Sequence, residues 1–149
     1  KYTWFDRGSD ERQYCAPGID LPVASILRTK YGEYPEYHTS HDNLTDVVTP
    51  EGLNGGYWAI RKALELIEKN KKLKVKILGE PQMSKRGLYP TLSTTKNKKN
   101  VKLMKDFISL CDGENTLLDI ANQINIPAWD LYKIADDLIS IKIIKENIS

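Results

Sequence analysis

The chain has 149 residues, a formal net charge of +2 and 40% hydrophobic residues. That length allows one ordinary domain, alone or with a small appendage. The apolar runs are too short to span a bilayer and no secretory hydrophobic region is evident, which argues against a membrane protein. The two cysteines lie far apart in sequence, so we expect reduced thiols in a cytoplasmic protein rather than a disulfide scaffold. Because the chain begins at Lys1 rather than Met, we also expect a piece of something longer.

Charge divides the chain into three segments. Residues 1–70 have a net charge of −3, and residues 100–149 also have a net charge of −3. Between them, residues 71–99 hold nine basic side chains against one acidic side chain. The pattern predicts an acidic N-terminal part, a basic connector and an acidic tail with these boundaries.

Residues 1–49 carry short apolar runs between turn-forming residues, which indicates short strands and loops. The run PVASILRT, residues 22–29, is apolar without a helical period and predicts a buried strand. The run YPEYHT, residues 34–39, is a second strand candidate for the same edge of a sheet.

The run from residue 49 to residue 70 predicts a long helix. Thr49 is a suitable N-cap, with Pro50 in the first helical position. Gly55 and Gly56 would weaken the start of the helix, so we expect a close backbone approach there. Four residues share the i, i+3, i+4, i+7 spacing of one buried face: Ile60, Ala63, Leu64 and Ile67.

The basic segment begins with KLKVKILG, residues 72–79, in which lysine and apolar side chains alternate. This alternation predicts a half-exposed strand with Leu73, Val75 and Ile77 on its buried face. Residues 80–100 are rich in Pro, Gly, Ser, Thr and Lys and predict a linker. One more strand is expected within it, near residues 88–92.

Residues 100–149 predict a separate helical unit. A first helix presents Val101, Met104, Ile108 and Cys111 on one stripe, and Gly113 ends it. Two more helices follow with the spacing of a helix-turn-helix, and the run IKIIKEN predicts a closing strand. The unit therefore resembles a winged helix, with Asn125 in a left-handed turn. Its shared core positions are Ile120, Ala121, Ile124, Ile126, Leu131 and Ile134.

The charge of this unit disfavours DNA binding, although winged helices are common DNA readers. A reading helix has to lie against phosphates, which dominate affinity. Here the second helix of the motif carries Asp130, Asp136 and Asp137 against Lys133 alone. A structural or protein-contact role fits better. The basic connector leaves a nucleic-acid interpretation open, but a solvated lysine-rich loop is the simpler one.

Two stretches of the N-terminal part hold candidate metal ligands. RGSDERQY offers Asp10 and Glu11 after a Gly-Ser turn, and YPEYHTSHDN offers His38 and His41. Zinc binds carboxylate oxygen and imidazole nitrogen, often on loops held by a sheet. On spacing alone, however, an aspartate and a histidine this far apart are a weak signal, and hydrogen-bonded loop residues explain them better.

The motifs Ser9-Asp10 and Tyr37-His38-Thr39, followed by the long helix, resemble the closing part of the di-zinc aminopeptidases of the bacterial leucyl-aminopeptidase type. The whole run from RGSDERQYCAPG to HTSHDN is similar to a bacterial subgroup of aminopeptidase-like proteins. That subgroup is labelled with polysaccharide biosynthesis, and its members end in a winged-helix domain. The resemblance implies a mixed α/β fold: the C-terminal part of an aminopeptidase sheet domain, a small β element and a winged helix-turn-helix.

The resemblance also implies a reaction. Two zinc ions would activate a water molecule that attacks a peptide or amide bond. Asp10 would hold one zinc ion and His38 the other, while the general base and the other ligands have no counterpart in this chain. Glu11 is the rival of Asp10, and His41 is not required. Asp42 could orient the loop or cap the next helix. By itself the chain should be an inactive hydrolase fragment, and no catalytic or substrate-binding residue can be named in it.

Two other functions compete with a zinc-dependent hydrolase. The same frame could serve a non-catalytic binding or assembly protein, or the winged helix could bind DNA. In every case the N-terminal part would hold only the last strands of a sheet. An incomplete sheet exposes strand edges, so we expect it to associate with copies of itself or with an upstream part of the parent chain.

Overall fold

The structure is a computed structural model that describes residues 3–82, 84–86 and 95–147. It is a mixed α/β structure, as predicted, with several helices and a three-stranded antiparallel sheet. The chain divides into two compact units, residues 1–62 (unit 1) and residues 63–149 (unit 2). The strand expected near residues 88–92 lies outside the described residues, and the predicted domain boundaries stay a prediction.

Unit 1 is built from turns and helices. A 3-10 turn, Trp4–Asp6, precedes helix α1, Ser9–Tyr14. Helix α2 spans Pro50–Lys69, and its residues 63–69 belong to unit 2. None of the described residues of unit 1 forms a paired strand. The strand predicted at residues 22–29 is wrong: no described segment pairs with these residues as a strand, and Arg28 and Thr29 form a bend.

The second predicted strand, residues 34–39, is also wrong, because the backbone turns instead. The Tyr37 amide donates to the Tyr34 carbonyl at 3.2 Å, and the Thr39 amide donates to the Glu36 carbonyl at 3.0 Å. Between them His38 has a φ of +58°, in the left-handed region. Bonds between residues three apart close the chain on itself, which leaves those amides unavailable to a neighbouring strand.

Helix α2 begins where the sequence predicts. The Thr49 hydroxyl accepts a hydrogen bond from the Gly52 amide at 3.1 Å, as an N-cap should. The predicted burial of one face is wrong, however, because no residue of α2 is buried. Ile60, Leu64 and Ile67 are 48%, 59% and 70% exposed.

The expected close approach at the two glycines of α2 is wrong as well. A Cβ added at either Gly55 or Gly56 would meet no atom within 4 Å. The helix therefore tolerates both glycines without a packing reason among the described residues. The helical period identified the element correctly, but it did not show what the apolar face contacts.

Unit 2 is organised around strand β1, Lys72–Val75, which lies between strand β2, Asp112–Thr116, and strand β3, Ile144–Glu146. Both pairings are antiparallel, with Lys74 opposite Asp112 and Val75 opposite Ile144. The predicted alternation of β1 is confirmed: Leu73 is buried, Val75 and Ile77 pack partly against the core, and Lys74 and Lys76 are exposed.

Besides the end of α2, unit 2 has three α-helices among its described residues: α3, Thr95–Ser109, α4, Leu117–Ile124, and α5, Tyr132–Ser140. A 3-10 turn, Ala128–Asp130, precedes α5. Helix α3 ends before Cys111, because residues 112–116 form β2, a strand that the sequence did not indicate. Gly113 lies in that strand with a φ of +100° rather than ending the helix.

The core of unit 2 contains every buried apolar side chain of the described residues. The predicted positions Ile120, Ala121 and Leu131 are buried at 0–1% exposure, and Ile108 and Cys111 are buried with them. Asn125 is left-handed, with φ 60° and ψ 49°, as expected after α4. The core also uses large side chains beyond the predicted set, namely Phe107, Leu138, Ile143 and Ile144.

No helix among the described residues has both the length and the apolar composition that crossing a bilayer requires. Both cysteines are free thiols, Cys15 partly buried and Cys111 buried.

Candidate functional site

The Gly8-Ser9-Asp10 turn presents one of the two predicted metal ligands. Gly8 starts α1 where a Cβ atom would lie only 3.0 Å from the Tyr31 hydroxyl, and Ser9 has a φ of +48°. Asp10 follows in the first turn of α1 and is exposed. No other described residue hydrogen-bonds to its carboxylate, so the oxygens are available to an external ligand.

The neighbouring carboxylate behaves differently. Glu11 is 6% exposed and is the one charged side chain that is buried among the described residues. It accepts hydrogen bonds from two hydroxyls, those of Ser25 and of Tyr31, the latter at 3.0 Å. A buried carboxylate is tolerated only when donors compensate its lost hydration. Glu11 therefore anchors α1 to the segment of residues 25–31, while Asp10 remains free at the surface.

Sequence reasoning missed this anchor. Ser25 and Tyr31 are fourteen and twenty residues from Glu11, and neither position belongs to a local pattern. The only available signal was the adjacency of two carboxylates in RGSDERQY, which does not say which one is buried. The same adjacency made Glu11 the rival of Asp10 as a metal ligand.

A cleft of about 650 Å³ lies beside Glu11. Residues 23–27 form one wall of the cleft. The positive side chains of Arg7 and Lys30 and the negative side chain of Glu33 line the rest. The Lys30 ammonium lies 3.6 Å from Asp6 and 3.9 Å from Glu33. Positive and negative groups thus face the same cleft, which suits a zwitterionic or backbone-like ligand better than a polyanion.

His38 lies exposed on the turn of residues 34–39. Its ring centroid is 4.2 Å from that of Tyr37. Tyr37 in turn contacts the rings of Tyr31 and Tyr34, at 6.3 Å and 5.6 Å. The Thr39 hydroxyl donates to the Glu36 carbonyl at 2.7 Å and closes the turn. The tyrosines support one side of the imidazole.

Asp42 contacts this cluster through Tyr34, whose hydroxyl donates to the carboxylate at 3.2 Å. Burial of the hydroxyl, followed by the hydrogen bond to Asp42, raises the pKa of Tyr34 above its usual value. Asp42 therefore helps to hold the loop, whereas Thr49 caps α2. His41 lies 3.7 Å from Asp46 with a side chain that is 75% exposed.

Among residues 3–82, 84–86 and 95–147, no three His, Cys, Asp or Glu side chains are grouped as a metal site would require. The roles of Asp10 and His38 as metal ligands therefore stay a prediction. What the described residues provide is one exposed carboxylate and one exposed imidazole, each on a turn held by its neighbours.

Unit 2 has the order β1–α3–β2–α4–α5–β3, with α4 and α5 joined through left-handed Asn125 and a 3-10 turn. A family model described as winged helix-turn-helix matches residues 71–146. The chain belongs to the winged helix-turn-helix family. A second model, described as a domain of unknown function (DUF4910), matches residues 1–70.

Two relatives from Clostridium acetobutylicum resemble nearly the whole chain. One, provisionally named a polysaccharide biosynthesis protein with aminopeptidase-like domain, is 35% identical over 144 residues, which are 95% of this chain and 33% of that protein. The other is a crystal structure described provisionally as a peptidase, with a TM-score of 0.80, 34% identity, and coverage of 95% of this chain and 31% of that chain. The chain spans about one third of the length of these relatives.

The winged helix-turn-helix domain presents an acidic second helix. On α5, the Lys133 ammonium lies 3.0 Å from Asp137, so its charge is already paired. Asp136 is paired with Lys69 at 3.3 Å, and Asp130 precedes the helix as an exposed carboxylate. A helix with this balance repels a phosphate backbone, so the helix that often reads DNA in such domains is poorly suited to it here.

Proposed function

We propose that this chain is the C-terminal part of a zinc-dependent aminopeptidase-like hydrolase of peptide or amide bonds. The observation that carries the proposal is the pair of presented ligands. Asp10 is exposed without a partner among the described residues, beside a buried Glu11 that anchors its helix. His38 is exposed on a turn that tyrosines support. The relative named with an aminopeptidase-like domain supports the assignment.

The donor set fits zinc but does not complete a site. Carboxylate oxygen and imidazole nitrogen are both common zinc ligands, and a catalytic zinc ion usually takes three from the protein. Asp10 and His38 would each serve a different ion, and the remaining ligands would come from outside this chain. When bound, zinc would lower the pKa of a water molecule to about 7 and polarise the scissile carbonyl.

The chain's own residues position the ligands. The Ser25 and Tyr31 hydroxyls hold Glu11, and Glu11 in turn fixes the first turn of α1, where Asp10 lies. Tyr31 also contacts Tyr37, the residue before His38. One tyrosine thus touches both ligand-bearing segments, which ties their relative placement to a single side chain. The general base is not assigned to any residue of this chain.

A second candidate function is a non-catalytic binding or assembly protein on the same frame. The exposed apolar side chains of α2 favour it, because exposed large apolar residues in a row mark contact surfaces. A DNA-binding role has less support, given the paired and acidic charges of α5. The polysaccharide label belongs to the relative, and none of the contacts of the described residues indicates sugar recognition.

Metal analysis of the full-length protein tests the proposal. We expect about two zinc ions per chain in the wild type, a two-metal content of the kind found in aminopeptidases. The His38→Ala and Asp10→Ala variants should each lose metal. His41→Ala is the matched control, since His41 lies three residues away and is also exposed to solvent. Absence of zinc from the wild type would refute the hydrolase and leave the binding protein.

Peptidase assays complete the test. Cleavage of aminoacyl anilides by the wild type, lost in His38→Ala and retained in His41→Ala, is the expected result. Zinc binding without any cleavage of peptides or amides would contradict the hydrolase while keeping the metal site.

A further inference from the structure

The solvent-facing side of the sheet in unit 2 carries a row of lysines. On strand β1, Leu73 is buried, and Lys72 and Lys74 on either side of it point to the opposite face. Lys76 continues the alternation, and its amide still donates to the Ile143 carbonyl at 2.8 Å. Because residues two apart in a strand are about 7 Å apart on one face, the row of three lysines is about 14 Å long.

A fourth lysine lies next to this row on strand β3. Lys145 is directly opposite Lys74, and both side chains are exposed. Residues directly opposite in an antiparallel pair have Cβ atoms about 5 Å apart, and like charges at that distance destabilise the pair. The sheet therefore carries a repulsion that an anionic surface would replace with attraction.

Three of the four lysines have no counter-charge among the described residues. Lys72 is the exception, because its ammonium lies 3.1 Å from Glu114 on β2. The other three make no ion pair with a described residue, and we name them the lysine face: Lys74, Lys76 and Lys145. Asp112 also lies opposite Lys74, but its carboxylate accepts hydrogen bonds from two backbone amides of β2, both at 2.8 Å. The three ammonium groups are thus available to external anions.

Gly113, on β2, supports the lysine face. A Cβ added there would lie 3.1 Å from Cδ of Lys74 and 3.3 Å from the side-chain nitrogen of Asn147. The aliphatic stem of Lys74 therefore lies across the glycine, beside the Asn147 amide group, which donates to the Gly113 carbonyl at 2.9 Å. A lysine whose stem packs on the sheet keeps its ammonium in solvent and has less side-chain freedom to lose on binding.

An exposed leucine follows the lysine row. Leu78 lies two residues after Lys76 and is 104% exposed, although Ile77 before it packs partly against the core. The backbone bends there, and Gly79 after it has a φ of +75°. A large apolar side chain held fully in water beside charged residues is typical of a contact surface.

We propose that the lysine face and Leu78 dock on the surface of a lipid bilayer that contains anionic headgroups. Each lysine near such a surface is attracted by its negative potential. An apolar side chain beside the lysines adds burial at the boundary of the acyl chains. Charge and apolar burial together give reversible binding, for which a membrane-spanning helix is not needed. This inference concerns unit 2 alone and does not rest on the proposed hydrolase.

A nucleic acid fits the same surface less well. Strands β1, β2 and β3 contain no arginine and no aromatic residue, whereas single-stranded sites stack bases on aromatic rings and arginine makes bidentate phosphate contacts. Strand β1 precedes α3 and β3 follows α5, so the two neighbouring strands are not a hairpin that could enter a groove. Leu78 would also remain in water on a phosphate backbone.

Co-sedimentation of this chain with lipid vesicles tests the proposal. One set of vesicles is phosphatidylcholine alone, and the other is phosphatidylcholine and phosphatidylglycerol in equal parts. We expect binding to the anionic vesicles to be at least about tenfold tighter at low ionic strength. Binding should weaken at physiological ionic strength, where the screening length is about 8 Å. Equal binding to both vesicles, or no binding to the anionic ones at low ionic strength, would overturn the proposal.

Charge variants identify the surface that binds. Lys74→Gln and Lys145→Gln should each weaken binding to anionic vesicles about fivefold, which corresponds to about 1 kcal/mol. Lys133→Gln removes the same charge from an exposed position on α5, outside the lysine face, and should leave binding unchanged. Lys74→Arg keeps the charge and should bind as the wild type does. An effect of Lys133→Gln equal to that of Lys74→Gln would overturn the assignment to this face.

Apolar variants test the role of the leucine. Leu78→Ser should weaken binding to anionic vesicles by about tenfold, because one buried leucine side chain is lost from the contact. Leu44→Ser is the matched control, since Leu44 lies in unit 1 and is 79% exposed. Equal binding by the two variants would contradict insertion of Leu78.

Labelled single-stranded and duplex DNA, in the same buffer, provide the last arm of the test. We expect binding to both to be weaker than binding to the anionic vesicles. DNA binding that depends on Lys74 and Lys145, without binding to vesicles, would assign the lysine face to a nucleic acid and overturn the proposal.

Discussion

Substituting Tyr132 by Phe should stabilise unit 2. Tyr132 is 7% exposed, and its buried hydroxyl has no hydrogen-bond partner among the described residues. A buried hydroxyl without a partner costs about 1–3 kcal/mol of stability. Tyr132→Phe removes only this oxygen and keeps the ring, including its contact with the Lys69 ammonium, which lies 5.2 Å from the ring centroid. We expect a gain of about 1 kcal/mol in the free energy of unfolding, at the low end of that cost.

Thermal and urea unfolding, followed by circular dichroism at a helix band, measure this gain. For a unit of this size, a gain of about 1 kcal/mol raises the melting temperature by about 4–8 °C. The urea midpoint should rise by roughly 0.3–1 M with an unchanged m-value. The control is Tyr132→Ala, which deletes the ring and should cost about 3–5 kcal/mol, as other aromatic truncations in cores do.

Unfolding at alkaline pH tests the same hydroxyl in a second way. Burial, and after it the negative charge of Glu65, raises the pKa of Tyr132 above its usual value. A raised pKa means that the folded state binds the proton more tightly. This contribution to stability is therefore present below pH 10 and falls as the pH rises through the folded-state pKa. In Tyr132→Phe, this part of the decrease in the free energy of unfolding with rising pH should be absent. If the variant is instead less stable than the wild type, the hydroxyl has a partner and the reasoning fails.

Three further predictions concern unit 2. Burial, and next the charge of Asp112, raises the pKa of Cys111 to about 12. Stability should therefore fall above pH 9, by up to about 1.4 kcal/mol per pH unit. In Cys111→Ala, the urea midpoint should fall less between pH 9 and 10 than in the wild type. The Thr116 hydroxyl caps α4 by accepting a hydrogen bond from the Asp119 amide at 3.2 Å. Thr116→Ala should lower the free energy of unfolding by about 1 kcal/mol in urea titrations. An equal loss in Thr116→Ser, which keeps the hydroxyl, would count against the cap. Asn125 has a left-handed backbone conformation, so Asn125→Ala should lower the free energy of unfolding by about 1 kcal/mol. Asn125→Gly should not lower it, because glycine adopts this conformation without strain. Equal effects of the two substitutions would contradict this explanation.

The winged helix was predictable because its signals are local. Helix periodicity, the left-handed Asn125 and the alternation of β1 each lie within a few residues of the structure they specify. Strand β2 was missed because DGENT is polar and lacks alternating apolar side chains. Its pairing with β1 depends on residues about forty positions earlier, and no local pattern carries that information.

In unit 1 the helical signal was correct, but the inferred burial was not. The periodic run at residues 50–69 is a helix, as predicted, whereas the apolar run at residues 22–29 forms no paired strand among the described residues. Both were assigned to a core, the first from its apolar period and the second from its apolar composition, because such patterns report which side chains favour burial. They do not report whether the buried contact is made within the same chain, and among the described residues that contact is lacking.

This difference has a consequence for the proposed metal site. Asp10 and His38 lie in unit 1, whose described residues bury no apolar side chain, so its ordering depends on Glu11 and on the tyrosine contacts. A metal site requires its ligands held to within a fraction of an ångström. If the rest of the full-length protein supplies the missing ligands, metal binding and the ordering of unit 1 are linked, and each should favour the other by the same factor. Zinc should therefore slow amide hydrogen exchange in unit 1 of the full-length wild-type protein, whereas the His38→Ala variant should show little response to zinc.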